Sequence, residues 1–139
     1  MSTDRNSRTA RRYWEDLFTA GDLAVADEII APEWTIHNPG VPANLRGPAG
    51  VKQMVGMFRA AFPDLRFEVE EQVVDGEHVL NRYTARGTHL GPFQGIPATG
   101  RPVTVTGLAI DRIVDGRLVE RWGHFDTLGL LRQLGVVPA

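Results

Sequence analysis

The stretch RFEVEEQVVDGEHVLNRYTARGT, residues 66–88, decides the fold class, because it has the pattern of two strands joined by a tight turn. In residues 66–74, apolar side chains alternate with charged or amide side chains, which is the two-residue period of a strand with one buried face. The Asp75-Gly76 pair is typical of a hairpin turn. We therefore predict that residues 78–88 return antiparallel to the first strand.

A second hairpin follows the first along the chain. Residues 103–114 and 118–125 carry strand patterns, and the Asp-Gly pair between them repeats the turn signal. The segment between the hairpins, residues 89–102, is rich in Gly and Pro, so it is predicted to be a long loop or lid. A short helix over 128–134 is predicted after the last strand.

Two helices are predicted at the start of the chain. From Ala10 to Phe18, apolar residues recur at i, i+3, i+4, i+7 and i+8, which indicates one buried helical stripe, and Gly21 ends this helix. Asp22 is a suitable cap for a second, shorter helix. Pro32 is predicted to end that second helix.

A short strand over 34–37 and a loop over 38–50 lead to a third helix, which has Pro48 in its first turn and ends before Pro63. Helices thus come first and hairpins last, which favours an α+β fold. We predict one domain in which a curved, mixed or antiparallel sheet packs against three N-terminal helices and encloses an apolar pocket. Residues 1–8 are expected to form a flexible polar lead.

The composition excludes several classes of function. The chain has 139 residues, of which 42% are apolar and 23% charged, with a net charge of −2 and no cysteine. There is no basic stripe for nucleic acid, no thiol for catalysis or disulfides, and no apolar run near the ~20 residues of a membrane span. The N-terminal segment has no apolar core of a secretory signal. We expect a cytoplasmic protein that binds neither nucleic acid nor membranes.

Nucleophile and cofactor motifs give the same kind of negative result. Ser2 and Ser7 are the only serines, and the sequence has no nucleophile elbow, no P-loop and no Gly-x-Gly-x-x-Gly run. Four histidines are present, but no pair has the i, i+4 spacing of a helical zinc site. We therefore expect neither a metal nor a cofactor, and a metal ion shared by His37, His124 and Asp126 is a weaker alternative.

Asp126 is the leading candidate for chemistry. Strand alternation places Trp122, His124 and Asp126 on one face of the last strand. If Trp122 points into the pocket, Asp126 does too, and an apolar wall would raise the pKa of its carboxyl and suit it to general acid/base catalysis. The alternative is structural, because Asp126 also stands where the N-cap of the final helix is expected.

The other polar candidates carry weaker signals. His124 is expected either to polarise a substrate carbonyl or to fill the pocket wall, and His89 either to hold the Gly/Pro loop or to contact ligand. Arg46, in the loop before the third helix, is a candidate for binding a carboxylate or an enolate. Arg82 and Arg112 lie within strands, where an arginine usually faces solvent.

Several short motifs occur together in this chain: His37-Asn38-Pro39, Ala61-Phe62-Pro63-Asp64, Gly87-Thr88-His89-Leu90-Gly91, Gly95-Ile96-Pro97-Ala98-Thr99-Gly100-Arg101, Asp115-Gly116-Arg117-Leu118-Val119-Glu120-Arg121-Trp122, Asp126 and Gln133-Leu134-Gly135. With the order of elements, they resemble the nuclear-transport-factor-2-like superfamily and, within it, the SnoaL-like polyketide cyclase or ester cyclase family. The resemblance covers about residue 10 to the C terminus.

The resemblance implies a cone-shaped fold and a small apolar or aromatic substrate, without cofactor. Asp126 matches the family's acid/base aspartate. A histidine at the position of His37 commonly faces the cavity, where it could donate to a substrate oxygen; the alternative is a core histidine that is hydrogen-bonded to the backbone. The third helix usually roofs the cone, so Met54 and Phe58, together with Trp122, are expected to line the pocket.

Three functions are consistent with this resemblance. The first is a cyclase that closes a ring by aldol or related enolate chemistry on an ester. The second is a cofactor-independent hydroxylase that uses Asp126 and Arg46, and the third is a non-catalytic small-molecule binder. A homodimer or a higher homo-oligomer is expected, and the resemblance implies that association through the sheet face is common in the superfamily.

Overall fold

The structure, a computed structural model, describes residues 2–138. Its helices are α1, Ser2–Arg12, which continues as a π-helical segment, Tyr13–Thr19, then α2, Ala24–Ile29, α3, Gly47–Ala61, and α4, Thr127–Gln133. Its strands are β1, Ile30–His37, β2, Arg66–Asp75, β3, His78–Thr88, β4, Pro102–Val114, and β5, Arg117–Phe125. The predicted α+β order of helices followed by two hairpins is confirmed.

All five strands form one mixed sheet in the order β1-β5-β4-β3-β2. The two hairpins pair antiparallel, whereas β1 joins β5 in parallel. The long first helix, its π-helical continuation and α3 pack on one face of this sheet. Burial in β4 alternates strictly, because odd-numbered residues such as Val105 and Ala109 face the helices while Leu108 and Ile110 face outward.

The hydrophobic core lies between the helices and that inner face. The π-helical segment supplies Tyr13, Trp14, Leu17 and Phe18, all of them buried. A π-turn is wider than an α-turn, and such segments are frequent at functional sites. The spacing of these residues correctly indicated one buried stripe, but their four-residue interval also suits the wider π-turn, so it does not reveal the π-helical segment.

Two local predictions differ from the structure. Residues 2–8 were expected to form a flexible lead, but they form the first turns of α1, where Asn6 is buried and donates a hydrogen bond to the Gly76 carbonyl at 3.3 Å. Pro32 was expected to end α2, but the helix ends at Ile29 and Pro32 lies inside β1. Because β1 is an edge strand, a residue without an N–H is tolerated there.

Candidate active site

A pocket lies between the inner face of the sheet and the helices above it. Its walls are almost entirely apolar, and the few polar groups come from the π-helical segment and from the ends or interiors of β1, β3 and β5. The lining residues are Tyr13, Trp14, Phe18, Ile36, Asn38, Val41, Met54, Phe58, Phe62, Leu65, Phe67, Tyr83, Ala85, Arg86, Val103, Val105, Ala109, Arg121, Phe125 and Leu130. An apolar pocket with a few converging polar groups is the usual form of a small-molecule site.

Arg121 provides the buried positive charge of this pocket. Its Nε donates a hydrogen bond to Asp111 Oδ1 at 2.6 Å, and its Nη2 donates to Asp111 Oδ2 at 2.7 Å. The two residues are register partners on β5 and β4. The guanidinium carbon lies 3.5 Å from the centre of the Tyr13 ring and 4.3 Å from that of Trp14. Aromatic faces attract a cation, so these rings hold the guanidinium in place.

Asp111 is fully buried behind Arg121 and is held by a third group. Asn81 Nδ2 donates to Asp111 Oδ2 at 3.0 Å, and Asn81 Oδ1 accepts a bond from Gln72 Nε2 at 2.9 Å. Burial raises the pKa of the Asp111 carboxyl, while the charge and hydrogen bonds of Arg121 oppose that rise. Burial acts to lower the pKa of the Arg121 guanidinium, but the Asp111 carboxylate raises it above its ordinary value.

Two tyrosines add hydroxyl donors beside the guanidinium. Burial raises the pKa of the Tyr83 hydroxyl to about 12, and the positive charge of Arg121 opposes the rise. Burial likewise raises the pKa of Tyr13 well above the usual value for tyrosine. Both phenols therefore stay protonated at neutral pH and can donate a hydrogen bond to a ligand oxygen.

Asn38 and Trp14 bring polar atoms into the pocket wall without protein partners. Within residues 2–138, Asn38 Oδ1 and Trp14 Nε1 are buried and have no hydrogen-bond partner. Gly123 creates the space for the Asn38 amide, because a Cβ at position 123 would lie 2.9 Å from Asn38 Nδ2. Buried polar atoms are rarely left unpaired in native proteins, so these two atoms are candidates for hydrogen bonds to a bound ligand.

Asp126 does not lie in this pocket. Its side chain is exposed, and its Oδ1 accepts a hydrogen bond from the Gly129 N–H at 2.9 Å as the N-cap of α4. The prediction that it is desolvated inside the pocket is wrong, since the chain leaves β5 at Phe125 and turns into the helix there. The alternative interpretation as a helix cap describes its position.

Trp122, His124 and His37 lie on the outer face of the sheet, away from the pocket. Trp122 is 37% exposed because Arg121, its neighbour on β5, takes the inward position. His37 is exposed and stacks on Trp122 at 5.7 Å between ring centres, with its Nε2 2.7 Å from Glu120 Oε2. The prediction that these three residues face the cavity is wrong, because the strand has the opposite face buried.

Of the four remaining candidates, two line the pocket and two lie outside its lining. Met54 and Phe58 of α3 line the pocket as predicted, whereas Arg46 is exposed at the N-cap of α3. His89 is fully buried, and its Nδ1 accepts a hydrogen bond from the Thr99 N–H at 3.2 Å, which ties the two ends of the Gly/Pro loop together. His89 is absent from the pocket lining, in agreement with the structural alternative for this residue.

Arg82 and Arg112 face outward, where they form ion pairs with Glu71 and Glu77. The structure instead identifies Arg121, Asp111 and Asn38, none of which was predicted to be a site residue, although Asn38 and Arg121 belong to the motifs that carry the resemblance. One signal was available: Asp111 and Arg121 lie at almost equal distances from the Asp-Gly turn between β4 and β5, so they oppose each other in the hairpin.

Among residues 2–138, no group of three or more His, Asp or Glu side chains is placed to hold a metal ion. None of the described helices is both long and apolar enough to cross a membrane.

Comparison with known proteins identifies the family. Residues 8–134 match the model of the SnoaL-like polyketide cyclases. The aklanonic acid methyl ester cyclase of Streptomyces peucetius is 34% identical over 109 residues, which are 78% of this chain and 72% of that protein. The nogalonic acid methyl ester cyclase of Streptomyces nogalater is 32% identical over 125 residues, 85% of this chain and 89% of that protein.

A solved structure agrees with these relatives. Wild-type IdmH from Streptomyces antibioticus superposes with a TM-score of 0.81 at 38% identity, covering 94% of this chain and 98% of that one. Because the curated relatives named here are cyclases, the cyclase interpretation is favoured over the hydroxylase alternative. The chain belongs to the SnoaL-like polyketide cyclase family.

Proposed function

We propose that this enzyme closes a ring in the methyl ester of an aromatic polyketide by an intramolecular aldol reaction, with Arg121 as the residue that stabilises the enolate. The relatives named above act on such methyl esters. The observation that carries the proposal is a guanidinium held by Asp111 at the floor of an apolar pocket. In this surrounding, a fixed positive charge acts more strongly on a developing negative charge than it would in water.

The reaction is an isomerisation, so its protons balance. A carbon between two carbonyl groups loses a proton to water in the pocket, and its electron pair forms an enolate. That carbon attacks a ketone of the same molecule, and the resulting alkoxide takes a proton back from the water that accepted the first one. Arg121 lowers the pKa of the carbon acid by pairing with the enolate oxygen.

The free hydrogen-bond donors of the site suit the two oxygens that gain charge. Arg121 donates hydrogen bonds to Asp111 through its Nε and Nη2, whereas its Nη1 has no hydrogen bond to residues 2–138. Tyr83 supplies a hydroxyl for the ketone oxygen that becomes the alkoxide. Asp111 acts through Arg121, since it does not itself line the pocket, and fixes the direction of the guanidinium.

The test measures turnover of aklanonic acid methyl ester by the purified protein, with and without dioxygen. We expect a ring-closed product of unchanged mass in both conditions. A product that gains one oxygen atom, formed only in air, would instead support hydroxylation. Binding without turnover would support the non-catalytic alternative.

A pair of arginine variants tests the role of Arg121. The Arg121→Gln variant should lose about 10²–10³-fold in kcat, the cost of removing one oxyanion donor. Arg82→Gln is the matched control, because Arg82 is 53% exposed on the outer face and should leave kcat unchanged. If Arg121→Gln does not fold, Tyr83→Phe should still lower kcat. A folded Arg121→Gln enzyme with wild-type turnover would overturn the proposal.

We further propose that two copies associate through the outer face of the sheet. One row of register partners crosses all five strands there, Val73, Leu80, Ile110, Trp122 and His37. Val73 and Ile110 are 53% and 39% exposed, so the row leaves apolar surface in solvent. Light scattering should give twice the chain mass, and Trp122→Glu should yield the monomer.

The sequence also led us to expect a cytoplasmic location, and this expectation stays a prediction.

A further inference from the structure

We infer that Asn38 is a substrate-positioning residue, which accepts a hydrogen bond from a hydroxyl group of the polyketide. This inference rests on the proposed function, since it assigns the same pocket as the substrate site. Asn38 would recognise a part of the substrate that Arg121 does not contact. This part is a hydroxyl group that can donate a hydrogen bond and lies away from the enolate oxygen.

Two small residues, Gly123 and Ala109, leave room for the Asn38 side chain in the pocket wall. Asn38 directly follows β1, next to Gly123 on the parallel neighbour β5. On the inner face of β5, a side chain at position 123 would project between Arg121 and Phe125. Because Gly123 has no side chain, the Asn38 amide occupies that space, and Ala109 on β4 adds little bulk beside it. The amide therefore stands in the pocket wall near the guanidinium.

The Asn38 oxygen has no partner in the described part of the protein. The backbone carbonyl of Asn38 accepts a bond from the Val41 N–H at 3.1 Å, so this carbonyl is paired while the side-chain Oδ1 is not. An unpaired buried amide oxygen costs the ligand-free protein free energy, which is recovered only if a ligand donates to it. A phenolic or enolic hydroxyl is the group in an aromatic polyketide that can do so.

A site built to pair a hydroxyl discriminates strongly against an analogue that lacks it, since the protein group is then left buried and unpaired. The loss for one neutral hydrogen bond is about tenfold in affinity. The Asn38 amide thus gives the pocket a preference that apolar walls alone cannot provide.

The experiment measures binding calorimetrically, independently of turnover, with 2,6-dihydroxyanthraquinone and with anthraquinone. The wild-type protein should bind the hydroxylated probe about tenfold more tightly than anthraquinone. In Asn38→Leu, that preference should vanish while anthraquinone binds as before. Asn44→Leu, the same change at an exposed loop position, should keep the preference.

A stability measurement completes the test. Asn38→Leu should leave the ligand-free melting temperature unchanged or raised, because it removes an unpaired polar group. Gly123→Ala, whose Cβ meets Asn38 Nδ2, should displace the amide and also abolish the preference. If Asn38→Leu retains the wild-type preference, this inference is overturned and the cyclase proposal stands. If the wild-type protein binds neither probe but turns over aklanonic acid methyl ester, this inference alone is overturned; if it also lacks turnover, the proposed function fails with it.

Discussion

Arg121 and Asp111 face each other across β5 and β4, and their side chains form a two-bond ion pair with 3% and 0% of their surface exposed. Such a pair lies in the core of the protein, yet the guanidinium also forms part of the pocket wall. Taking two charges out of water is costly, and the attraction between them only partly offsets that cost. A buried pair of this kind is more readily explained by what it holds in position than by the stability it adds.

The first prediction concerns the removal of one partner of this pair. Asp111→Asn should lower the free energy of unfolding by roughly 3–5 kcal/mol, because it leaves the Arg121 charge buried without a counter-ion. Asp27→Asn is the control, since Asp27 pairs with Lys52 at 2.9 Å with 60% of its side chain exposed. That surface change should cost less than about 1 kcal/mol. Urea unfolding measures both, and equal losses would show that the Asp111 pair is not special.

The second prediction separates the two roles considered for Asp126. Asn caps a helix about as well as Asp, so Asp126→Asn should keep both stability and turnover. Asp126→Ala loses the bond from the Gly129 N–H and should cost about 1 kcal/mol of stability, with kcat again unchanged. Thermal unfolding and steady-state kinetics test these outcomes. A fall of orders of magnitude in kcat for the folded Asp126→Asn enzyme would restore the acid/base role that the sequence suggested.

The sequence predicted the elements well because their signals are local. The Asp-Gly turns gave both hairpins, and Gly21, at φ +72°, ends the first helical region as expected. The buried face of β5 was predicted wrongly because both of its faces are chemically mixed. Trp122 lies on the outer face although tryptophan is usually buried, and Arg121 lies on the inner face although arginine usually faces solvent. The two-residue period shows that side chains of a strand point alternately to the two faces of the sheet. It does not show which of these faces the helices cover.

The third prediction concerns acid stability at the start of the Gly/Pro loop. The Thr88 N–H donates to Asp64 Oδ1 at 2.7 Å and the Thr88 hydroxyl to Oδ2 at 2.8 Å, and these bonds lower the pKa of the Asp64 carboxyl. A carboxyl with a lowered folded-state pKa stabilises the protein above its unfolded pKa of about 3.9. That contribution is lost as the pH falls through the lower folded-state pKa.

Asp64→Asn should therefore make the free energy of unfolding less dependent on pH below about pH 4. Glu70→Gln, at an exposed position of β2, is the comparison that should retain the wild-type slope. Urea titrations between neutral and acid pH measure the effect. A slope identical in wild type and Asp64→Asn would contradict the assignment of these two hydrogen bonds.

The fourth prediction uses the same substitution at two glycines whose surroundings are opposite. A Cβ at Gly107 would lie 2.3 Å from the Tyr83 hydroxyl, so Gly107→Ala must displace the ring that packs on Trp14 at 4.5 Å. Overpacking of this kind costs about 1–3 kcal/mol, and the moved tyrosine should also lower kcat. A Cβ at Gly56 in α3 meets nothing within 4 Å, so Gly56→Ala should stabilise the helix by up to about 1 kcal/mol and leave kcat unchanged. Denaturant unfolding and kinetics on both variants should give opposite signs in stability, and a stabilised, fully active Gly107→Ala enzyme would show that Tyr83 does not occupy this position.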